Sequence, residues 1–162
     1  MKFEEAKEQF ISAWGNLGSN WGINRTMAQI HALLLISPEA LTTEDMMEEL
    51  KISRGNTSMN TRALIDWGVV KKENKLGDRK EYFVATKDIW ELARRIAQER
   101  KKRELDPLIV TLENLQNIEG EGKQVAELKT MTQQIETFAK KADRLLTFFS
   151  KAKYSWFTSL LR

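Results

Sequence analysis

The chain has 162 residues, of which 41% are hydrophobic and 30% are charged. This composition excludes an intrinsically disordered chain, and the length suffices for one domain or for a small domain extended by assembly helices. The absence of cysteine excludes disulfide bonds and thiolate metal sites. The acidic, amphipathic start and the lack of a long apolar run predict neither a signal peptide nor a membrane span, and hence a cytoplasmic location.

The net charge of +3 is unevenly distributed along the chain. Residues 1–52 carry 4 basic and 8 acidic side chains, residues 53–103 carry 14 and 7, and residues 104–162 carry 8 of each. The middle third therefore holds the positive charge, as expected where one segment faces a polyanion. A solvated basic helix would have the same composition, so charge alone leaves both interpretations open.

Two helices are predicted at the start of the chain. Apolar residues recur every three or four positions from Phe3 to Leu17, which indicates one helix. Gly15, Gly18 and Gly22 then predict a bend or break before Ile23, since glycine weakens a helix. A second helix, Asn24 to Ile36, is apolar on more than one side and is expected to be the most buried.

A helix-turn-helix is predicted next. Thr42 begins a short helix, because a hydroxyl N-cap followed by acidic residues suits the positive end of the helix dipole. Ser53 offers a second N-cap, for a helix from Arg54 to about Trp67 that ends at Gly68. Two short helices joined by a tight connection form this motif.

The rest of the chain predicts a β-hairpin and long helices. The strand-like runs 69–73 and 81–85 flank a turn with a basic tip. Helical spacing returns at residue 87, with a kink or a new helix start at Asp106-Pro107 and a loop at Gly120 and Gly122. The apolar stripes of these helices exceed what a small domain covers, so we expect a homodimer. A monomeric helical hairpin folded back on the domain is the alternative.

Catalytic chemistry finds little support in this sequence. The only histidine, His31, lies in the most apolar helix without a nucleophile nearby in sequence, so a packing role is expected. Four carboxylates between residues 44 and 49 are interpreted as a solvated face and not as a metal site, and no phosphate-binding glycine motif occurs. We therefore expect no enzyme, no cofactor and no metal.

The helix after Ser53 has an unusual composition for a surface helix. It carries Asn, Ser, Thr and two arginines in place of strong helix formers, which indicates selection for contacts to bases and phosphates of double-stranded DNA. Its predicted core face comprises Thr57, Thr61, Leu64 and Ile65. Its predicted DNA-binding residues are Arg54, Asn56, Ser58, Met59, Asn60 at the margin, and Arg62. A merely polar surface helix is the alternative.

Two further groups of DNA contacts are predicted. Lys75, Arg79 and Lys80 lie at or beside the hairpin tip, where a wing reaches the minor groove or a phosphate strand. The run Asn24-Arg25-Thr26 begins a helix and is predicted to clamp a phosphate. A solvated charge is the alternative for each group.

The predicted fold class is mainly α with a small β-hairpin wing. Residues 1–22 would form an N-terminal helix that supports dimerisation, and residues 23–87 a winged helix-turn-helix DNA-binding domain. Residues 88–162 would form a helical dimerisation region.

Two runs resemble the GbsR-type branch of the MarR transcription factors: GSNWGINRTMAQIHALL (residues 18–34) and ISRGNTSMNTRALIDWGVV (residues 52–70). The resemblance implies a winged-helix dimer that binds a palindromic operator, often as a repressor. Some members of this branch sense glycine betaine or choline, and the resemblance assigns no effector residues here. The main alternative is a winged-helix protein-interaction module whose basic surface meets an acidic partner.

Overall fold

A computed structural model describes residues 1–20 and 22–151. Its elements are α1 (Phe3–Asn20), α2 (Arg25–Ile36), β1 (Leu41–Thr42), α3 (Thr43–Leu50), α4 (Arg54–Asp66), β2 (Val70–Asn74), β3 (Glu81–Ala85), α5 (Ile89–Arg100), a π-helical segment π1 (Lys101–Leu105), α6 (Asp106–Leu115) and α7 (Lys123–Lys151). The predicted class, mainly α with a β-hairpin, is confirmed. The chain divides within α5, after Leu92, into two compact units. The end of the predicted dimerisation region, residues 152–162, lies outside the described residues.

Helix α1 continues through Gly15 and Gly18 and ends at Asn20, so the break predicted before Ile23 is confirmed. Gly15 and Gly18 are buried against α2. A Cβ atom on Gly18 would lie 2.6 Å from the Cβ of Ala28, and one on Gly15 would lie 2.8 Å from the Cγ of Gln29. The helix does not end at these two glycines because close packing of two helices outweighs the low helix propensity of glycine. The chain turns at Gly22, which has a φ of 75°.

The core of the first unit is built around α2. As predicted, this is the most buried helix, with Ile30, Ala32, Leu33 and Leu34 almost fully inaccessible. Side chains from the neighbouring elements complete the core: Met46, Leu64, Val69, Val70 and Phe83. These contacts pack the helix-turn-helix and the hairpin against one shared hydrophobic core.

Helix α3 begins at the predicted cap. The Thr42 hydroxyl accepts a hydrogen bond from the Asp45 N–H (3.2 Å), and the Asp45 carboxylate accepts one from the Thr42 N–H (2.7 Å). This reciprocal capping box satisfies two backbone donors that a helix start leaves unpaired. The helix ends at Lys51, which adopts a left-handed conformation with a φ of 53°.

The sheet has three antiparallel strands in the order β1-β3-β2. The hairpin register runs from Val70 opposite Ala85 to Asn74 opposite Glu81, which confirms the predicted hairpin. Strand β1 was not predicted, because two residues directly before a helix carry no alternating pattern. It forms where Leu41 pairs with Phe83 of β3.

Helices α6 and α7 pack on each other and on π1 in the second unit. The kink or new start predicted at Asp106-Pro107 takes the form of π1, which directly precedes α6. Lys101 donates from Nζ to Asp106 Oδ1 (2.8 Å) and lies 2.9 Å from Asp143 Oδ1. The Asp106 carboxylate first, and that of Asp143 next, raise the pKa of Lys101. These two ion pairs connect π1 with α6 and α7.

No helix in the described ranges offers an apolar stretch of the length that crossing a membrane requires.

Candidate nucleic-acid interface

Helix α4 begins and ends at the predicted caps. The Ser53 hydroxyl accepts a hydrogen bond from the Asn56 N–H (3.3 Å), and the Thr57 hydroxyl donates to the Ser53 carbonyl (2.9 Å). At the other end, Gly68 has a φ of 69° and its N–H donates to the Ile65 carbonyl (2.8 Å). These local bonds set the length of the candidate recognition helix.

The two faces of α4 differ as predicted, with one exception. Thr57, Thr61 and Leu64 are buried on the inner face. The described residues on the other faces are exposed or half-buried: Arg54, Asn56, Ser58, Met59 and Arg62. Four of these five side chains carry hydrogen-bonding groups, and they lie on adjacent turns of one helix.

Asn60 is the exception, because only 3% of it is exposed. Its Nδ2 group donates to the Asn56 carbonyl oxygen (2.8 Å) and to Asn56 Oδ1 (2.7 Å). Placing Asn60 at the outer margin of the helix was therefore wrong. The residue packs inward, and its Nδ2 group bonds Asn56, one helical turn earlier. Residues four apart on a helix are neighbours, so the Asn56/Asn60 spacing was the available signal. The bond also orients the Asn56 amide, whose Oδ1 points along the helix.

Arg54, the first residue of α4, pairs with a carboxylate of α3. Its Nη2 atom lies 2.5 Å from Glu44 Oε1. A hydrogen bond from the backbone N–H of Glu44, followed by the one from Arg54, lowers the pKa of the Glu44 carboxyl. The carboxylate is therefore ionised at neutral pH. The sequence interpretation of residues 44–49 as a solvated face missed this pairing, since it depends on how two helices meet.

The tip of the hairpin is held by Asp78. Its Oδ1 accepts from the Lys80 N–H (2.9 Å), and its Oδ2 accepts from the Tyr82 hydroxyl (2.7 Å). The Tyr82 bond, followed by that from Lys80, lowers the pKa of Asp78. Lys75 Nζ lies 4.2 Å from the centre of the Tyr82 ring, within cation–π range. Gly77, with a φ of 82°, completes the turn.

The basic side chains predicted for the wing are therefore carried by an ordered turn. Lys75, Arg79 and Lys80 are all exposed. The two residues that organise the turn, Asp78 and Tyr82, were not singled out from the sequence. The spacing of four residues between Asp78 and Tyr82, across the end of the hairpin, was the sequence signal that could have indicated their hydrogen bond.

The start of α2 uses Asn24 as its N-cap. The Asn24 Oδ1 atom accepts a hydrogen bond from the Met27 N–H (3.1 Å). Asn24 and Arg25 are exposed and Thr26 is half-buried, so the run is accessible at a helix N-terminus. Its predicted phosphate contact stays a prediction.

The arrangement defines a class of protein. Helix α3, the turn at residues 51–53 and helix α4 form a helix-turn-helix, and the β2–β3 hairpin follows α4 directly as a wing. The first unit thus has the winged helix-turn-helix architecture.

Comparison with known proteins agrees with this class. No protein-family profile matches the sequence. The chain is 28% identical over 113 residues to the HTH-type transcriptional repressor GbsR of Bacillus subtilis (strain 168), and this match covers 70% of the chain but only 62% of the repressor. The chain therefore matches less than two thirds of that relative's length. The match confirms the resemblance found in the sequence.

A solved structure shares the fold. The crystal structure of a protein described as a transcriptional regulator superposes with a TM-score of 0.59 at 21% sequence identity. The superposition covers 91% of this chain and 99% of the other.

Proposed function

We propose that this chain is a sequence-specific DNA-binding transcriptional regulator that represses transcription from a palindromic operator. The observation that carries the proposal is the outer surface of α4, where Arg54, Asn56, Ser58 and Arg62 are accessible directly beside a basic wing. Similarity to a protein named as a transcriptional repressor supports it. Such a role involves no catalysis and places the protein in the cytoplasm.

In this proposal α4 enters the major groove. Arginine recognises guanine and asparagine recognises adenine through paired hydrogen bonds, and Met59 would touch a thymine methyl group. Arg79 and Lys80 of the wing would contact phosphates or the minor groove, and the run Asn24-Arg25-Thr26 would contact a phosphate. Residues 23–87 would then be the DNA-binding part of the chain.

The proposal includes a homodimer formed through residues 88–162. Large apolar side chains on α7 form a row that we call the α7 stripe: Leu128, Met131, Ile135, Phe138 and Leu145. Their exposed fractions lie between 44% and 73%. The buried Thr132 and Ala139 adjoin the stripe, because they follow Leu128 and Ile135 by four residues, or about 40° around the helix. The packing within the second unit therefore leaves the stripe accessible.

A second copy of α7 is the occupant that the stripe fits. Its first four members alternate spacings of three and four residues, the pattern with which two helices pack along their length. Helix α7 has 29 residues and is therefore about 43 Å long, at 1.5 Å per residue. A dimer would present two α4 helices to one operator, and such proteins bind inverted half-sites about one helical turn apart. A small-molecule effector that releases the DNA is part of the proposal, without assigned residues.

Selection of bound fragments from genomic DNA tests the proposed function. The expected result is enrichment of an inverted repeat, with binding that weakens steeply as salt rises because phosphate contacts release counterions. A parallel titration with random duplex DNA serves as the reference. No enrichment and no salt-dependent binding would favour the alternative, a module that binds an acidic protein partner.

A further inference from the structure

The ion pair between Glu44 and Arg54 lies at the start of the candidate recognition helix. The Nη2–Oε1 distance is 2.5 Å, and 65% of the Arg54 side chain and 50% of the Glu44 side chain are exposed. Exposed pairs of this kind contribute little to folding stability, because water and salt screen them. Its position matters more, since the N-terminal residues of a recognition helix are the ones that reach base edges.

Glu44 also lies near the wing. Among the charges that act on its carboxylate are Arg54 and Lys80, and Lys80 together with Lys75 acts on the neighbouring Asp45. Arg54 and Lys80 both belong to the surface that we propose faces DNA. A carboxylate placed there repels phosphates, so it weakens DNA binding of every sequence alike.

We propose that Glu44 is a specificity-determining residue that positions Arg54 for a base contact and reduces its binding to phosphates. The inference rests on the proposed function. Arginine has five N–H donors in a rigid planar fork, and the pair with Glu44 occupies Nη2 on one side. The remaining donors can still bond a guanine edge, whereas a phosphate must compete with Glu44 for the same group. Specificity is the difference between these two affinities.

The test compares Glu44→Gln with Glu48→Gln. Both changes remove one negative charge from α3, and Glu48 is exposed on the same helix, so total charge is matched. Each variant and the wild type are used to select sites from random duplexes. Their affinities for the selected site and for random duplex are then measured at several salt concentrations.

We expect Glu44→Gln to bind random duplex about three- to tenfold more tightly, with a salt slope steeper by about 0.9, the value for one added phosphate contact. Preference at one base pair of each half-site should relax. Glu48→Gln should change the affinity for random duplex by about twofold or less, because the ion pair of Arg54 is with Glu44 and salt screens an exposed charge that acts only at longer range. In an Arg54→Ala background, Glu44→Gln should change the affinity for random duplex no more than Glu48→Gln does, because only the general charge effect is left once the partner is gone.

An equal gain in both single variants would overturn the inference, because total charge would then account for it. An effect of Glu44→Gln that persists at full size in the Arg54→Ala background would overturn it too. Wild-type protein that binds no duplex DNA would overturn the proposed function and this inference together, so the two failures are distinguishable. Thermal unfolding of each variant establishes that affinities are compared between folded proteins.

Discussion

Gly18 of α1 faces Ala28 of α2 so closely that a Cβ on the glycine would lie 2.6 Å from the alanine Cβ. Side-chain carbons do not approach to that distance without movement of a backbone. The contact therefore sets the separation of α1 and α2, two helices of the first unit.

Replacing Gly18 by alanine tests this contact. Alanine favours a helix over glycine by about 1 kcal/mol, but forcing an extra methyl group into a packed contact costs about 1 to 3 kcal/mol. We expect Gly18→Ala to be destabilising, as measured by the free energy of unfolding in denaturant. Gly55 is the control, because a Cβ there meets nothing within 4 Å. Gly55→Ala should stabilise the protein by about 0.5 to 1 kcal/mol. A stabilising Gly18→Ala would contradict the close approach.

His31 predicts a dependence of stability on pH. Its Nδ1 accepts a hydrogen bond from Trp14 Nε1 (3.3 Å), and it is only 4% exposed. Burial lowers the pKa of His31 from 6.5 to about 4. The unfolded chain binds the proton more tightly, so the stability due to neutral His31 is complete above pH 6.5 and is lost as pH falls toward 4.

The expected loss attributable to His31 between pH 7 and pH 5 is about 2 kcal/mol, since one pKa unit corresponds to 1.36 kcal/mol. Denaturant unfolding at both pH values measures it. Carboxylates also titrate at low pH, so the comparison is with His31→Gln, which keeps a polar side chain but does not ionise in this range. The same pH dependence in both proteins would show that His31 does not remain neutral when folded.

Arg62→Ala and Arg79→Ala are expected to weaken DNA binding in different ways. If Arg62 of α4 reads a base, its loss should cost about 1 to 3 kcal/mol and relax the preference at one base pair. If Arg79 of the wing contacts a phosphate, its loss should lower the affinity for all sequences and reduce the salt slope by about 0.9. Site selection and salt titrations with both variants measure the difference. Unchanged site preference in Arg62→Ala would remove that residue from base recognition.

Cross-linking through the α7 stripe tests the homodimer. The chain contains no cysteine, so Ile135→Cys introduces a single thiol near the middle of α7. If two stripes pack together, mild oxidation should convert most of this variant into a covalent dimer at micromolar concentration. Gln133→Cys is the control, because Gln133 is exposed about 160° around the helix from Ile135, at 100° per residue. Light scattering that shows a monomeric wild-type protein would contradict the dimer.

Features that depend on neighbouring residues could be predicted from the sequence. The caps at Thr42, Ser53 and Gly68 and the hairpin between β2 and β3 all lie where the sequence analysis placed them. Each depends on hydrogen bonds or turn conformations within a few residues, so the local amino-acid types suffice. The element order of a winged helix-turn-helix follows from these local signals.

Features that depend on residues distant in the chain were decided only by the tertiary structure. Gly18 supports the continuous α1 because it meets Ala28, and Asn60 turns inward because that face of α4 packs on the core. The pair of Glu44 and Arg54 joins residues ten positions apart on two helices. Such contacts depend on how the elements pack, and packing can override the local preferences from which sequence patterns are interpreted.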